Sequence, residues 1–303
     1  MTRAIVLGTL IAAGALSLAA SAYQQPPAPK VVGVEKLRDN LFMLTGGGGN
    51  TAVFVGTNGV VVVDTKNPGW GQPILDQIKK LTTKPVTTIV NTHTHGDHTS
   101  GNVEFPATVD VVVQENTKTN MERWVTYTGA TEPVQNVFKE NNGKGMPKRT
   151  FKDRMTLGSG ADRIDLYYFG RGHTSGDTFV VFTALRAMHS GDIFAGKRIP
   201  FLDANNGGSG IAIGDTLEKA HGTIKNVDSI ITGHSTVMTM NDLAEYVRFN
   251  RDFLKAVQDG KKAGKTVDEV AKTWAIPATY RGYTAPMPAE LKRNVQVVFD
   301  ELK

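Results

Sequence analysis

Hydrophobic and polar positions change period several times along this chain. From Val31 to Val63 short apolar runs (NLFMLT, TAVFV, VVVV) alternate with Gly- and Asn-rich turns, and Asn58-Gly59 separates two of them. Short apolar runs bounded by turn residues predict an antiparallel meander, with the Asn-Gly pair closing a hairpin. The four glycines at 46–49 fall at another turn. No Lys-Ser or Lys-Thr follows them and no helical pattern opens there, so they predict a mobile hairpin tip and not a phosphate loop. Over 71–81, Ile74, Ile78 and Leu81 recur at helical spacing, and VTTIV after Pro85 has the apolar, β-branched make-up of a buried strand.

The same unit then recurs: an apolar strand followed by a polar cluster. VVVV precedes Asp64, VTTIV precedes the run Asn91 to His98, and RIDLYYF precedes Gly170-Arg171-Gly172-His173. LRAMH precedes Ser190-Gly191-Asp192, and VDSIIT precedes Gly233-His234. Strand ends in a sheet can line one edge, which is where α/β folds place their sites. After His234 the pattern turns helical, with Leu243, Tyr246, Val247, Leu254 and Val257 on one face. Thr266 with Glu269 has the spacing of a capping box, and Pro288 stands near the start of a last helix. Nothing between these elements reads as a linker, so residues 31–303 form one expected domain.

Composition narrows the class. Of 303 residues 40% are hydrophobic and 21% charged, which is globular and not disordered. Arg3, the apolar stretch after it and Ala20-Ser21-Ala22 have the order of a cleavable export signal over 1–22, followed by a spacer over 23–30. The expectation is a periplasmic or secreted protein with no stable membrane insertion once the signal is removed. The net charge of +5 is scattered and forms no stripe, so a nucleic-acid partner is not implied. With no cysteine in the chain, any metal must be held by His, Asp or Glu.

Five of the seven histidines fall in the strand-end clusters, three of them within the six residues His93 to His98. In His93-Thr94-His95 the two rings share one side of an extended segment and can face one cation, with His173 as a third imidazole. Asp97 and His98 suit a second ion, joined by His234. Asp192 is the natural bridge, because one carboxylate can give an oxygen to each ion. His and carboxylate donors suggest two zinc ions, with iron or manganese as alternatives. Asp64 reads as a carboxylate that orients a ligand imidazole. His189, inside its strand, and His221, on a helix near Thr216, read as ordinary structural residues.

Taken together, Asp64, the run His93, His95, Asp97 and His98, His173 in GRGHTSGD, Asp192 in HSGDIF and His234 in ITGHS resemble the metallo-β-lactamase superfamily over nearly all of residues 31–303. That resemblance implies an α/β fold, the αββα four-layer sandwich of two mixed sheets flanked by helices, with the site along one edge. It implies a metal-dependent hydrolase acting on a small molecule, in which Asp97 orients a hydroxide shared by two metal ions to open a cyclic amide or ester. The stretches VVVVDTKNPGW and GHTSGDTFVVF resemble the β-lactamases, but Asp192 stands where those enzymes carry a cysteine ligand. An aspartate there resembles thioesterases and lactonases of the glyoxalase II type, and a mononuclear iron persulfide dioxygenase uses a similar His and Asp set. In the β-lactamases the loop after this position supplies a Lys and an Asn to the substrate, which makes Lys197, Arg198, Asn205 and Asn206 the candidates here.

Overall fold

The computed structural model describes residues 30–303; the export signal expected over 1–22, and the spacer up to residue 29, lie outside the described residues. Seven strands form the first sheet in chain order: β1 (Gly33–Arg38), β2 (Leu41–Thr45), β3 (Thr51–Val55), β4 (Val60–Val63), β5 (Val86–Val90), β6 (Asp110–Gln114) and β7 (Arg149–Phe151). The first four pair antiparallel, as the turn pattern predicts, and β4, β5, β6 and β7 pair in parallel. Helix α1 (Gly71–Leu81) makes the crossover from β4 to β5. The short α2 (Gly96–Thr99), α3 (Glu115–Arg123) and α4 (Val137–Glu140) occupy the later connections.

The chain passes into the second sheet at residues 152–153. That sheet holds β8 (Arg154–Leu157), β9 (Ile164–Tyr167), β10 (Phe179–Phe182), β11 (Ala187–Gly191) and β12 (Ser229–Thr232), in the order β12-β11-β10-β9-β8. Only β11 and β12 are parallel, joined through α5 (Ile213–Thr223). Helices α6 (Met240–Lys262), α7 (Val267–Thr273) and α8 (Pro288–Glu301) follow. Thr266 and Glu269 cap α7 reciprocally, and Pro288 opens α8, both as the spacing predicts.

Side-chain alternation assigns the layers. Leu41, Met43, Ala52, Phe54, Val63 and Val90 face Ile164, Leu166, Val180, Phe182 and Ile231 across the gap between the sheets. Their neighbours Leu44, Val53, Val60, Val62 and Ile89 point the other way, onto Ile74 and Ile78 of α1. On the far side Phe179, Val181, Met188 and Ile230 pack under Leu217, Tyr246, Phe253, Val295 and Val298. The result is the αββα sandwich. A slip of one residue in β9 would bring Asp165 into the gap in place of Ile164 and Leu166, and each fully buried apolar side chain of this kind is worth roughly 1.5–3 kcal/mol, so register is firmly set there.

Residues 46–49 do connect β2 to β3, but they are not the mobile tip that their composition suggests. The Gly49 N–H donates to Asp97 O at 3.0 Å, Asn67 N–H donates to Gly47 O at 3.0 Å, and Lys66 Nζ donates to Leu44 O at 2.9 Å and Gly49 O at 2.6 Å. The His98 ring occupies the space that a Cβ on residue 49 would need, so only glycine permits this approach.

Candidate metal centre

Four strands deliver their C-terminal ends to one edge of the sandwich. β4 leads into Asp64, β5 into residues 91–98, β11 into Asp192, and β12 into His234. The loop between β9 and β10 adds His173. After β5 the backbone bends through residues 92–94, is extended at His95, with φ −64° and ψ 146°, and then turns into α2. That change of direction divides the cluster. His93, His95, His173 and Asp192 offer donor atoms all within 4.8 Å of one another, and Asp97, His98 and His234 form a second such group.

Hydrogen bonding fixes which ring nitrogen each imidazole presents. The Thr92 hydroxyl donates to Asp64 Oδ2 at 2.7 Å and so accepts from His93 Nδ1–H at 3.0 Å, leaving His93 Nε2 buried with no partner. His173 Nδ1–H donates to Phe201 O at 2.6 Å and His95 Nε2–H to Asp203 Oδ2 at 2.7 Å. Their remaining nitrogens, His173 Nε2 and His95 Nδ1, are then two lone pairs 3.0 Å apart. In the second group His98 Nδ1–H donates to Asp64 Oδ2 at 2.7 Å, which turns its Nε2 toward His234 Nε2 at 3.3 Å. Facing lone pairs and an orphaned buried nitrogen are unfavourable unless a cation lies among them, so the donor set fits a metal ion.

Asp192 sits between the groups, with one oxygen 3.2 Å from His98 Nε2 and the other 3.2 Å from His234 Nε2 and 3.9 Å from His173 Nε2. Gly233 leaves room for this carboxylate, since a Cβ there would collide with Asp192 Oδ1. Asp97 Oδ2 approaches His234 Nε2 at 3.2 Å and is a third exposed toward the cavity.

The electrostatics of the two groups differ. Burial, and then the neighbouring imidazoles His98 and His173, push His93 well below the usual imidazole range, and burial with His95 lowers His173 to about 4. Burial also opposes charge on His98 and His234, but there the carboxylates win. Asp192, Asp97 and Asp64 hold His98 well above its ordinary value, and Asp192 and Asp97 lift His234 to about 9. The first group is thus ready to bind a cation, whereas the second is already internally charge-balanced.

The two groups open on a cavity of about 740 Å³ whose wall includes Tyr127, Arg198, Phe201, Glu290 and Arg293. Of the four loop residues expected at the substrate, only Arg198 lines it. Lys197 turns away to ion pairs with Asp242 and Glu245 of α6, at 2.9 and 3.1 Å. Asn205 is held by Thr126 O and Thr128 Oγ1, and Asn206 is buried with its amide donating to Asp203 Oδ2 at 2.7 Å. A short 3-10 turn over Ala204–Asn206 leaves Asn205 exposed, bonded to the 126–128 segment, and turns Asn206 into the protein. His189 is a satisfied core residue, as expected, donating from Nε2 to Asn50 O at 3.0 Å and accepting Gly191 N–H at Nδ1, also at 3.0 Å. Asp203, Thr92 and Arg293 were not among the expected residues. Asp203 ends the apolar stretch IPFLD, so the pattern of a strand-like run closed by a carboxylate, which marks Asp64, would have found it as well.

The protein-family description "Metallo-beta-lactamase superfamily" matches residues 44–236. The chain belongs to that superfamily. A curated relative, the metallo-β-lactamase type 2 of Elizabethkingia meningoseptica, is 25% identical over 221 residues, which is 67% of this chain and 78% of the relative. Among solved structures, a metallo-β-lactamase from Pontibacter korlensis overlays 73% of this chain and 99% of its own length with a TM-score of 0.59 at 18% identity. An inverting sec-alkylsulfatase from a Pseudomonas species overlays 89% of this chain and 50% of its own length with a TM-score of 0.65 at 14% identity. The superfamily assignment makes the chain a metal-dependent hydrolase, and the overlays show the fold.

Proposed function

We propose that the chain is a two-metal hydrolase, zinc being the first choice of metal, that opens a cyclic amide or ester in the manner of a β-lactamase. The observation that carries this reading is the position of Asp192, whose two oxygens reach both groups of donors. One ion would be held by His93, His95 and His173, and the other by Asp97, His98 and His234, with Asp192 shared. When bound, two such ions supply a hydroxide near neutral pH and polarise the carbonyl under attack.

The chain's own residues do the rest. Asp64 and Asp203 hold the imidazoles in the tautomers that leave their inner nitrogens unprotonated. The Asp97 carboxylate, ionised beside His98 and His234 and open to the cavity, orients the attacking water and accepts its proton at Oδ2. Tyr127 and Phe201 form an apolar wall that excludes bulk water from one side of the substrate.

A second reading, a lactonase or thioesterase of the glyoxalase II type, is favoured by the carboxylate at Asp192. An export signal over residues 1–22, as the order of Arg3, the apolar stretch and Ala20-Ser21-Ala22 suggests, would put the substrate outside the cytoplasm under either reading. Metal analysis of the purified protein, with a substrate panel of β-lactams, lactones, thioesters and secondary alkyl sulfate esters, tests the proposal. Two zinc ions per chain with turnover of lactams or lactones are expected; one iron per chain with oxygen uptake on a persulfide would overturn it. Cell fractionation checks the location, with the mature chain expected in the periplasm or medium.

A further inference from the structure

Two guanidinium groups line the cavity, and they are not equivalent. Arg198 is engaged by Glu290 at 2.8 Å, and Glu290 is itself buried, so this charge is spent inside the wall. Arg293, one turn further along α8, is more than half buried yet forms no ion pair among the described residues. Its Nε has no hydrogen-bond partner among them either. The carboxylates nearest in effect are committed elsewhere: Glu290 to Arg198, and Asp203 to His95, Thr128 and Asn206. The guanidinium carbon lies 4.2 Å from the centroid of the Phe201 ring, and that same ring is 5.5 Å from His173 and 5.7 Å from His95. One aromatic ring therefore touches both the free cation and the metal-facing imidazoles.

Packing alone does not account for this. The aliphatic stem of an arginine gains by lying on apolar surface, but a methionine or leucine would gain as much without burying a charge. An unpaired, partly buried guanidinium is costly, and burial depresses its proton affinity, opposed mainly by Glu290 and Asp203. Contact with the face of Phe201 holds the group at the cavity wall and leaves its N–H groups for a planar anion.

We infer that Arg293 is the anion-anchoring residue of the cavity, binding a carboxylate on the substrate while the reacting bond lies on the other side of Phe201 at the candidate metal centre. The residue comes from the C-terminal helix and not from the loop after Asp192, whose cations are turned outward or already paired. The substrate class is then a small, partly apolar molecule carrying one carboxylate. The placement of the reacting bond rests on the hydrolase reading above, but the anion site itself does not.

The test uses the metal-loaded full chain in wild-type form and as Arg293→Met and Arg293→Lys; methionine keeps the stem on Phe201. The binding arm measures calorimetric affinity for 4-phenylbutanoate against 4-phenylbutanamide. The kinetic arm compares a bicyclic lactam carboxylate with its methyl ester. Loss of a bidentate charge-assisted contact is expected to weaken acid binding, and raise KM for the carboxylate substrate, by roughly tenfold to a hundredfold in Arg293→Met. The amide and ester should be unaffected, kcat should stay within about twofold, and lysine should restore part of the loss. An equal shift for acid and neutral probes, or no shift for either, would overturn the proposal. If the wild type turns over no lactam yet the Arg293-dependent preference for the acid persists, the anion site stands and the β-lactamase-like reading falls.

Discussion

Asp203 Oδ2 stands 2.7 Å from His95 Nε2, and this contact sets His95 apart from its neighbours: it faces the donor cluster through Nδ1, whereas His93 and His173 face it through Nε2. Burial opposes charge on Asp203, but hydrogen bonds from His95, Asn206 and Thr128 hold the carboxyl far below its ordinary range. Replacing Asp203 by Ala frees the ring to rotate and to change tautomer. Chelator competition should show the first metal bound roughly tenfold to a hundredfold more weakly. Unchanged affinity would mean that the ring is held by packing alone.

Asp192→Ala removes the carboxylate shared by the two groups. Metal content after dialysis against buffered zinc should fall from two ions per chain to one, with most turnover lost. Two retained ions and full activity would rule out a shared carboxylate.

The pH dependence of the metal-free protein follows from His234. Its proton affinity is raised on folding from 6.5 to about 9, so its contribution to stability is complete below pH 6.5 and is lost as pH climbs through 9. His98 acts in the same sense. Lys66, lowered by burial from 10.5 to about 8, acts oppositely above pH 8, so the clear window is pH 6.5–8. Melting temperature should decline across that window without metal and level off with metal, because both imidazoles must be unprotonated to bind. A decline of the same slope in both forms would contradict the assignment.

Lys66 holds the 46–49 turn from below. With Lys66→Met the carbonyls of Leu44 and Gly49 lose a buried donor, which should destabilise the fold by about 2 kcal/mol and speed amide exchange in residues 46–50. An unaltered melting temperature and exchange pattern would show that water replaces the ammonium there.

The parts of this protein legible in its sequence are those set by local period and by donor type. The meander, helix α1, the capping box of α7 and the run from His93 to His98 each depend on residues close together in the chain. What escaped depends on partners far apart. Asp203 matters only because residue 95 lies beside it across the fold, and Lys197 fails as a substrate ligand only because α6 places Asp242 and Glu245 within its reach. Arg293 belongs to a helix with an ordinary amphipathic pattern, and nothing in that pattern says that one of its polar positions would be folded against Phe201. The glycine run is held still for the same reason, since part of its tether is the segment at Asp97 and His98, far along the chain.

The chain crosses between its two sheets only at residues 152–153, and the donors are divided by that crossing. His93, His95, Asp97 and His98 precede it; His173, Asp192 and His234 follow it. On the proposed ligand assignment neither half holds a complete coordination set, so an ion would be captured only after the halves had met and would then rivet them along the seam. Metal uptake would then also be an inspection of assembly: a chain with one half misfolded is expected to stay empty and inert.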